Sequence, residues 1–522
     1  MGTITNHAGR ELPEAIPGYG AVKPFAGAFG TPPPPNGGAS LNRGFFTPGS
    51  SKRCATLEEA LEKAGLADGL TLSFHHHLRE GDKIVNRTLD TARRMGARDL
   101  VLAPSALFGV HEPLARHIRE GTIRRIEGSM NGPVGRLTSV GGMKDTAVLR
   151  SHGGRVRAIR AGDLPIDIAV IAAPTADEYG NANGINGPNA CGPLAYSHAD
   201  ALFARKVIVV TDNLVPYPAV PLSIPQHHVD VVVEVDSIGN NEKIVSGTTR
   251  VTTREPGLTI ARTAAEVIYR SGLMKDGFNF QAGAGGISLA TVKFMGDTME
   301  RERIRAAWVN GGTTEIVLDL FRKGLIDKIT TCQAFDLPAV ESMRTDAHHI
   351  ETNMDFYANI HNKGCICHQL DCVVLGATEV DVNFNVNVNT HSDGYLLHGI
   401  GGHQDTASGA RLTVITAPLA RKNNAIIRDR VTTVTTPGEC IDVVVTDGGI
   451  AVNPRREEVR DALLQSGLPV RPIEELRDKA NVAAQAAGTP PPPPALDDRI
   501  VALIEWRDGT VLDVVRRVKA DG

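Results

Sequence analysis

No stretch of the chain approaches the roughly 18 consecutive apolar residues that a membrane-spanning helix needs, so no membrane span or membrane partner is expected. The opening MGTITNHAGRELPEAIPGYG lacks the apolar core of a secretory signal. Asn6 stands where N-myristoylation requires Ser or Thr. Neither charge sign is in excess: 55 Lys plus Arg face 59 Asp plus Glu, a formal net charge of -4. With no long basic run, nothing favours a nucleic-acid or polyanion partner. Cysteine is sparse, seven in 522 residues. An odd, scattered set argues against a disulfide framework and for reduced thiols in the cytoplasm. Cys365, Cys367, His368 and Cys372 match no standard zinc spacing, and no metal is expected. No acidic strand end is placed to hold a ribose, which disfavours a nicotinamide site.

What is present is an ordinary globular composition, 42% hydrophobic and 22% charged, over a length suited to two or three domains. Residues 1–53 are rich in Gly and Pro, with Pro32 to Pro35 in a row, and read as an N-terminal arm. Order is predicted from Thr56, where Thr56 and Glu59 form a capping box before a helical apolar pattern. Short Val/Ile-rich runs then alternate with amphipathic stretches: 70–76, 99–105, 166–174, 206–212 and 229–236 as strands, 84–96 and 112–121 as helices. Continuous apolar runs suit strands buried on both faces of a parallel sheet. The fold class is therefore α/β. A helical stretch at 258–272 precedes a second such series, which sets a boundary near residue 255 and gives two units, 54–255 and 256–478. No residue-level repeat between them is evident. Residues 479–497 read as a Pro-rich linker and 498–522 as a terminal β-hairpin around Arg507-Asp508-Gly509.

Several segments carry candidate chemistry. In QAGAGGISLA, Gly283, Gly285 and Gly286 lie between a predicted strand and helix, leaving bare N–H groups for an anion or developing oxyanion. The alternative is a tight strand–helix turn. In FNVNVNTHSDG, Asn385 and Asn387 line one face of an alternating strand. GIGGHQDTA follows, with Gly401, Gly402, His403 and Gln404 inviting close backbone approach to a ligand. SFHHHLREGD places His75 and His76 at a strand end, where open α/β sheets bind ligands. In SHGGRVRAIRAGD, His152 and Arg155 combine an imidazole with a fork that grips carboxylates, against a plain reading as a turn with solvated arginines. DEYGNANG offers Asn181 and Asn183 in a long loop after a strand. Glu315 opens a predicted helix, where an exposed acid stabilised by the helix dipole is the default reading.

Taken together and in this order, SFHHHLREGD, SHGGRVRAIRAGDLPIDIA, DEYGNANG, SGTTRVTT, FNFQAGAGGISLA, FNVNVNTHSDG, GIGGHQDTA and VTDGGIAVNPRR resemble the citrate lyase alpha chain family, from about Cys54 to the terminal hairpin. The resemblance implies two tandem CoA-transferase-type (NagB/RpiA-like) α/β domains with mainly parallel sheets, plus a small C-terminal hairpin. It implies a citrate CoA-transferase in which acetyl-carrier plus citrate gives citryl-carrier plus acetate. No cofactor on this chain is implied. The thioester would sit on the phosphoribosyl-dephospho-CoA arm of a partner acyl carrier (gamma) subunit, with acetyl-CoA as a surrogate. A lyase (beta) subunit would cleave the product within a large, self-associating hetero-oligomer. On this reading Arg155 and the loop amides clamp citrate, and Gly283 to Gly286 and Gly401–Gly402 face the oxyanion. Glu315 falls close to the place where other CoA-transferases carry a covalent Glu, and is expected not to act as one. The competing readings are a CoA-transferase with a covalent Glu and a non-catalytic scaffold.

Overall fold

The computed structural model describes residues 2–27, 51–245 and 250–519. The Pro32 to Pro35 run and the SGTT of SGTTRVTT lie outside them. Within the arm, Thr3–Thr5 pairs with Glu11–Pro13 and Ala15–Ile16 with Gly20–Ala21, on largely exposed residues. The capped start appears as predicted. Helix α1, Leu57–Lys63, takes Thr56 as N-cap. Glu59 donates its N–H to Thr56 Oγ1 at 3.1 Å, and the Glu59 carboxylate accepts from Ala55 N–H at 2.7 Å.

The apolar runs form two parallel sheets. The first contains β1 Arg53–Cys54, β2 Thr71–Phe74, β3 Leu100–Pro104, β4 Ile123–Ile126, β5 Ile168–Ala173, β6 Lys206–Thr211 and β7 Val231–Glu234, in the order β1-β7-β6-β5-β2-β3-β4. The second contains β8 Phe278–Ala282, β9 Ala306–Thr313, β10 Ile326–Ala334, β11 His349–Glu351, β12 Cys372–Gly376, β13 Thr413–Thr416, β14 Val443–Thr446 and β15 Gly449–Val452, in the order β11-β10-β9-β8-β12-β13-β14-β15. Only β15 runs antiparallel to its neighbour. Strands such as β3 and β5 are buried at every position. That is why they read as unbroken apolar runs instead of alternating ones.

Six strands of the first sheet, β7-β6-β5-β2-β3-β4, match β14-β13-β12-β8-β9-β10 of the second in order and direction. The repeat that the sequence did not make evident is present at the entries to β7 and β14. Pro225-Gln226-His227-His228-Val229-Asp230-Val231 aligns there with Pro437-Gly438-Glu439-Cys440-Ile441-Asp442-Val443. The two aspartates act alike: Asp230 accepts from Val207 N–H at 2.9 Å, and Asp442 from Thr413 N–H at 2.8 Å.

The C-terminal strands β16 Leu496–Glu505 and β17 Val511–Val518 pair antiparallel, and β16 also pairs in parallel with Ala147–Leu149. Val501, Ala502, Ile504 and Val515 are buried in the first half's core. Residues 479–497 are not a linker throughout: helix Ile473–Ala486 extends into them, burying Ile473, Leu476, Ala480 and Ala484. A helical apolar spacing there preceded the prolines.

Candidate active site

Open α/β sheets bind ligands beyond the C-terminal ends of their strands. Here those ends, on β2, β3, β8, β9, β10 and β12, feed one cavity of about 450 Å3 between the two halves. Among the described residues its walls carry two arginines, Arg79 and Arg421, and no carboxylate.

The first half builds a wall of side chains. His76 Nδ1 lies 2.7 Å from Ser105 Oγ, and its ring stacks on His152 with centroids 5.9 Å apart. His152 Nε2 meets Tyr196 Oη at 3.1 Å. Burial, with lesser contributions from nearby positive groups, pushes His152 down to about 3 and His76 well below its ordinary value. Both rings are therefore neutral at physiological pH. Arg79 has φ 52, the left-handed region that a long side chain seldom adopts, and is only 5% exposed. Its guanidinium lies 4.8 Å from the Phe108 ring centre and 5.5 Å from that of Phe335. Burial lowers its pKa to about 10, which leaves it charged at neutral pH.

The second half presents backbone. Helix α3, Gly286–Glu302, starts at the cavity with Gly285 as N-cap and no side-chain cap, so the positive end of its dipole meets the space. Gly286 must be small, because a Cβ there would come 2.7 Å from the Arg250 carbonyl. The Gly401–Gly402 segment forms the facing edge, with Gly401 at φ 63. A Cβ on Gly402 would meet Tyr357 Oη at 2.5 Å. Gln281 Nε2 donates to the same Tyr357 oxygen at 2.8 Å.

Of the predicted site residues, the cavity gathers His76, His152, Gly283, Gly285, Gly401, Gly402 and His403, with Gly286 next in chain. Gly283 cannot donate to a ligand as expected, since its N–H is engaged by the Val374 carbonyl at 2.8 Å. His403 has both ring nitrogens engaged, by Thr436 Oγ1 at 2.8 Å and Gly376 O at 3.1 Å.

The remaining predicted residues lie off the cavity wall. Arg155 is buried in a two-pronged pair with Asp200, at 2.8 and 3.1 Å, and also donates to Ala103 O. It is held by the protein, away from the cavity wall. The segment around it is helix α2, His152–Ala161, not a turn, capped by Ser151. Its glycines make room: a Cβ on Gly153 would collide with Ala358 O, and one on Gly154 would reach Arg507. His75 Nδ1 contacts His77 Nδ1 at 2.6 Å, and its Nε2 accepts from Ala172 N–H. Asn181 and Asn385 each donate to the aspartate four residues earlier, Asp177 and Asp381. Asn183 accepts from Asn186 N–H, Asn387 donates to Glu379 and Thr390, and Gln404 donates to Thr435 O. These amides stitch loops together. Glu315, the first residue of helix α4, Glu315–Arg322, is exposed and outside the cavity wall.

Sequence reasoning missed Arg79, Tyr196, Gln281, Tyr357 and His398. Arg79 sits inside SFHHHLREGD, and its signal was available: a cation in the loop after a buried strand. Tyr196 and Tyr357 come from distant segments with no local mark. Cys365, Cys367, His368 and Cys372 form no ligand cluster: no group of three or more metal-binding side chains occurs among the described residues.

Two tandem parallel sheets closing on one cavity define a CoA-transferase-like fold. Solved structures share it at low identity. The malonate decarboxylase alpha subunit of Acinetobacter baumannii is 14% identical, with TM-score 0.62 over 85% of this chain and 96% of that one. The 4-hydroxybutyrate CoA-transferase of Porphyromonas gingivalis is 17% identical, with TM-score 0.53 over 82% and 97%. At such identities the likeness shows the fold alone. Within it the sequence pattern described as "Citrate lyase, alpha subunit" matches residues 50–518. The citrate lyase alpha chain of Klebsiella pneumoniae is 44% identical over 490 residues, 93% of this chain and 96% of that one. The alpha chain of Escherichia coli is 45% identical over 469 residues, 90% and 91%. A citrate lyase alpha subunit from Streptococcus mutans, solved in complex with citrate, is 45% identical, with TM-score 0.88 over 91% of this chain and 93% of that one. The chain belongs to the citrate lyase alpha subunit family. No helix among the described residues is long and apolar enough to cross a membrane.

Proposed function

We propose that this chain is the transferase subunit of a citrate lyase complex, exchanging acetate for citrate on an acyl-carrier thioester. The observation that carries it is the seam cavity. It holds a buried cation and a bare helix N-terminus, with no carboxylate among its described lining residues. It lies in a chain that shares its fold and 45% identity with a citrate-bound relative.

Citrate carries three carboxylates, and a guanidinium grips a carboxylate with two parallel hydrogen bonds. Arg79 therefore replaces Arg155 as the clamp, with Arg421 at the rim as a second cation. A citrate carboxylate oxygen attacks the acetyl thioester carbonyl, and the negative charge that develops on that carbonyl oxygen faces the first turn of α3 and Gly401–Gly402. Expulsion of the thiolate leaves a mixed acetyl–citryl anhydride. The thiolate then attacks the citryl carbonyl, releasing acetate and leaving citrate on the carrier. Holding three partners in line is the main task, and a rigid seam between two sheets suits it. Neutral His76 and His152 complete the wall without adding charge that would trap the product.

The thioester would reside on the phosphoribosyl-dephospho-CoA arm of a carrier subunit, with a lyase subunit consuming the citryl product in the same assembly. The domain units are 54–255 and 256–478, each built on one large, mainly parallel sheet. The exposed position of Glu315 favours direct attack over an enzyme-bound thioester.

The test is acetyl exchange by the purified chain with acetyl-CoA or acetyl-carrier and labelled citrate. Citrate-dependent acetate release with a labelled thioester is the expected result. A folded chain that moves no acetyl group with a competent carrier would leave a scaffold role. Borohydride reduction after incubation with the acyl donor should modify no glutamate; loss of activity tied to modified Glu315 would replace direct attack with a covalent route.

A further inference from the structure

The C-terminal hairpin is fastened to the first half. Its strand β16 extends Ala147–Leu149, and Glu505 receives Arg150 at 2.9 Å and Arg157 at 3.1 Å. Its turn, however, reaches across the seam. Arg507, 3% exposed, donates to Ser408 Oγ at 2.6 Å, to His368 Nε2 at 3.0 Å and to Ala358 O at 3.1 Å. It also pairs with Asp405 at 3.5 Å. Asp405 belongs to helix α5, His403–Gly409, of the second half, yet it serves the first. It accepts from Ser151 Oγ at 2.8 Å and Gly153 N–H at 2.9 Å, capping the start of α2. The first residue of α2 is His152, whose N–H bonds Gly401 O at 2.9 Å and whose ring lies in the cavity wall. A chain of polar contacts, its first link the 3.5 Å Arg507–Asp405 ion pair, thus runs from the hairpin turn to both walls of the cavity.

We propose that Arg507 is a positioning residue: by fixing Asp405 it seats the N-terminus of α2, and with it His152 and Gly401, in the geometry the reaction needs. Removing it leaves a buried carboxylate without its cation, and the cap on α2 loosens. The kinetic part of the test rests on the transferase reading; the structural part does not.

The experiment compares the full chain with Arg507→Met, Arg507→Lys and, as a control in the same turn, the exposed Asp508→Asn. Amide hydrogen exchange at Gly153 and Gly154 should rise about tenfold in Arg507→Met below its melting temperature. Acetate release per folded molecule should fall by about tenfold, with partial recovery in Arg507→Lys or on adding methylguanidinium to Arg507→Met. If Arg507→Met does not fold, Ser408→Ala, which removes one anchor of Arg507, gives the same readouts at smaller amplitude. Unchanged exchange at Gly153 and Gly154 in a folded variant would overturn the proposal. So would an activity loss matched by the unfolded fraction alone. A wild-type chain without transferase activity would defeat the functional reading but leave the exchange result to decide this one.

Discussion

Strands β2 and β8 hold equivalent places in the two sheets, but the segments that leave them differ. After β2 come three histidines and Arg79, all buried, then Tyr196 from farther along the chain. After β8 come Gly283, Ala284 and Gly285 and the uncapped start of α3. At these equivalent places one half supplies buried side chains and the other backbone, its Gln281, Tyr357, His403 and Arg421 also lining the cavity. By contrast, the Asp–Asn turns are the same in both. Asp177 takes Asn181 and the N–H groups of residues 179–181, while Asp381 takes Asn385 and the N–H groups of residues 383 and 385. Each turn joins a strand pair of the same topology, Thr175–Asp177 with Ala182–Asn183 and Glu379–Asp381 with Val386–Asn387. In a duplicated fold, what both copies keep is scaffold, and where they diverge is the site.

That criterion can be broken in several ways. Arg155→Met should lower stability by about 3–5 kcal/mol, because it strands the buried Asp200 carboxylate. Citrate KM measured on folded molecules should not move; a raised KM with normal melting would return Arg155 to the site. Arg79→Met should reduce kcat/KM for citrate, measured per folded molecule, by about a hundredfold, a loss of about 2.7 kcal/mol. Equal losses for citrate and for the acyl donor would show that Arg79 does not discriminate between them. Asp177→Ala and Asp381→Ala should each cost about 1–3 kcal/mol in unfolding titrations, and by similar amounts, since each unpairs an asparagine amide and the N–H groups of its turn. A large disparity would mean that the two turns are not equivalent. Glu315→Gln should leave steady-state turnover within about twofold. A drop of orders of magnitude would bring the covalent route back.

The two halves also show how far a single sequence can be read. The Val- and Ile-rich strands, the Thr56 cap and the glycine turn before α3 were legible because each depends on local chemistry. The asparagines misled because residue type shows hydrogen-bonding capacity without showing direction. Asn181, Asn183, Asn385 and Asn387 turn toward protein partners, in their own loops and, for three of them, in the facing segments at Gln226, Gly438 and Thr433. The glycines of SHGG leave room that Ala358, Asp405 and Arg507 fill. Arg79 was passed over because its local sequence does not show that a strained backbone and two aromatic rings hold it in the cavity. The matching β7 and β14 entries were in view, but their Val-Val-Val cores read as ordinary strand composition.

The decisive experiment is a structure of this chain with citrate bound. A citrate carboxylate should lie within hydrogen-bonding distance of the Arg79 guanidinium, inside the seam cavity and facing the first turn of α3. Citrate bound elsewhere, or held in the cavity without touching Arg79, would refute the assignment of the clamp.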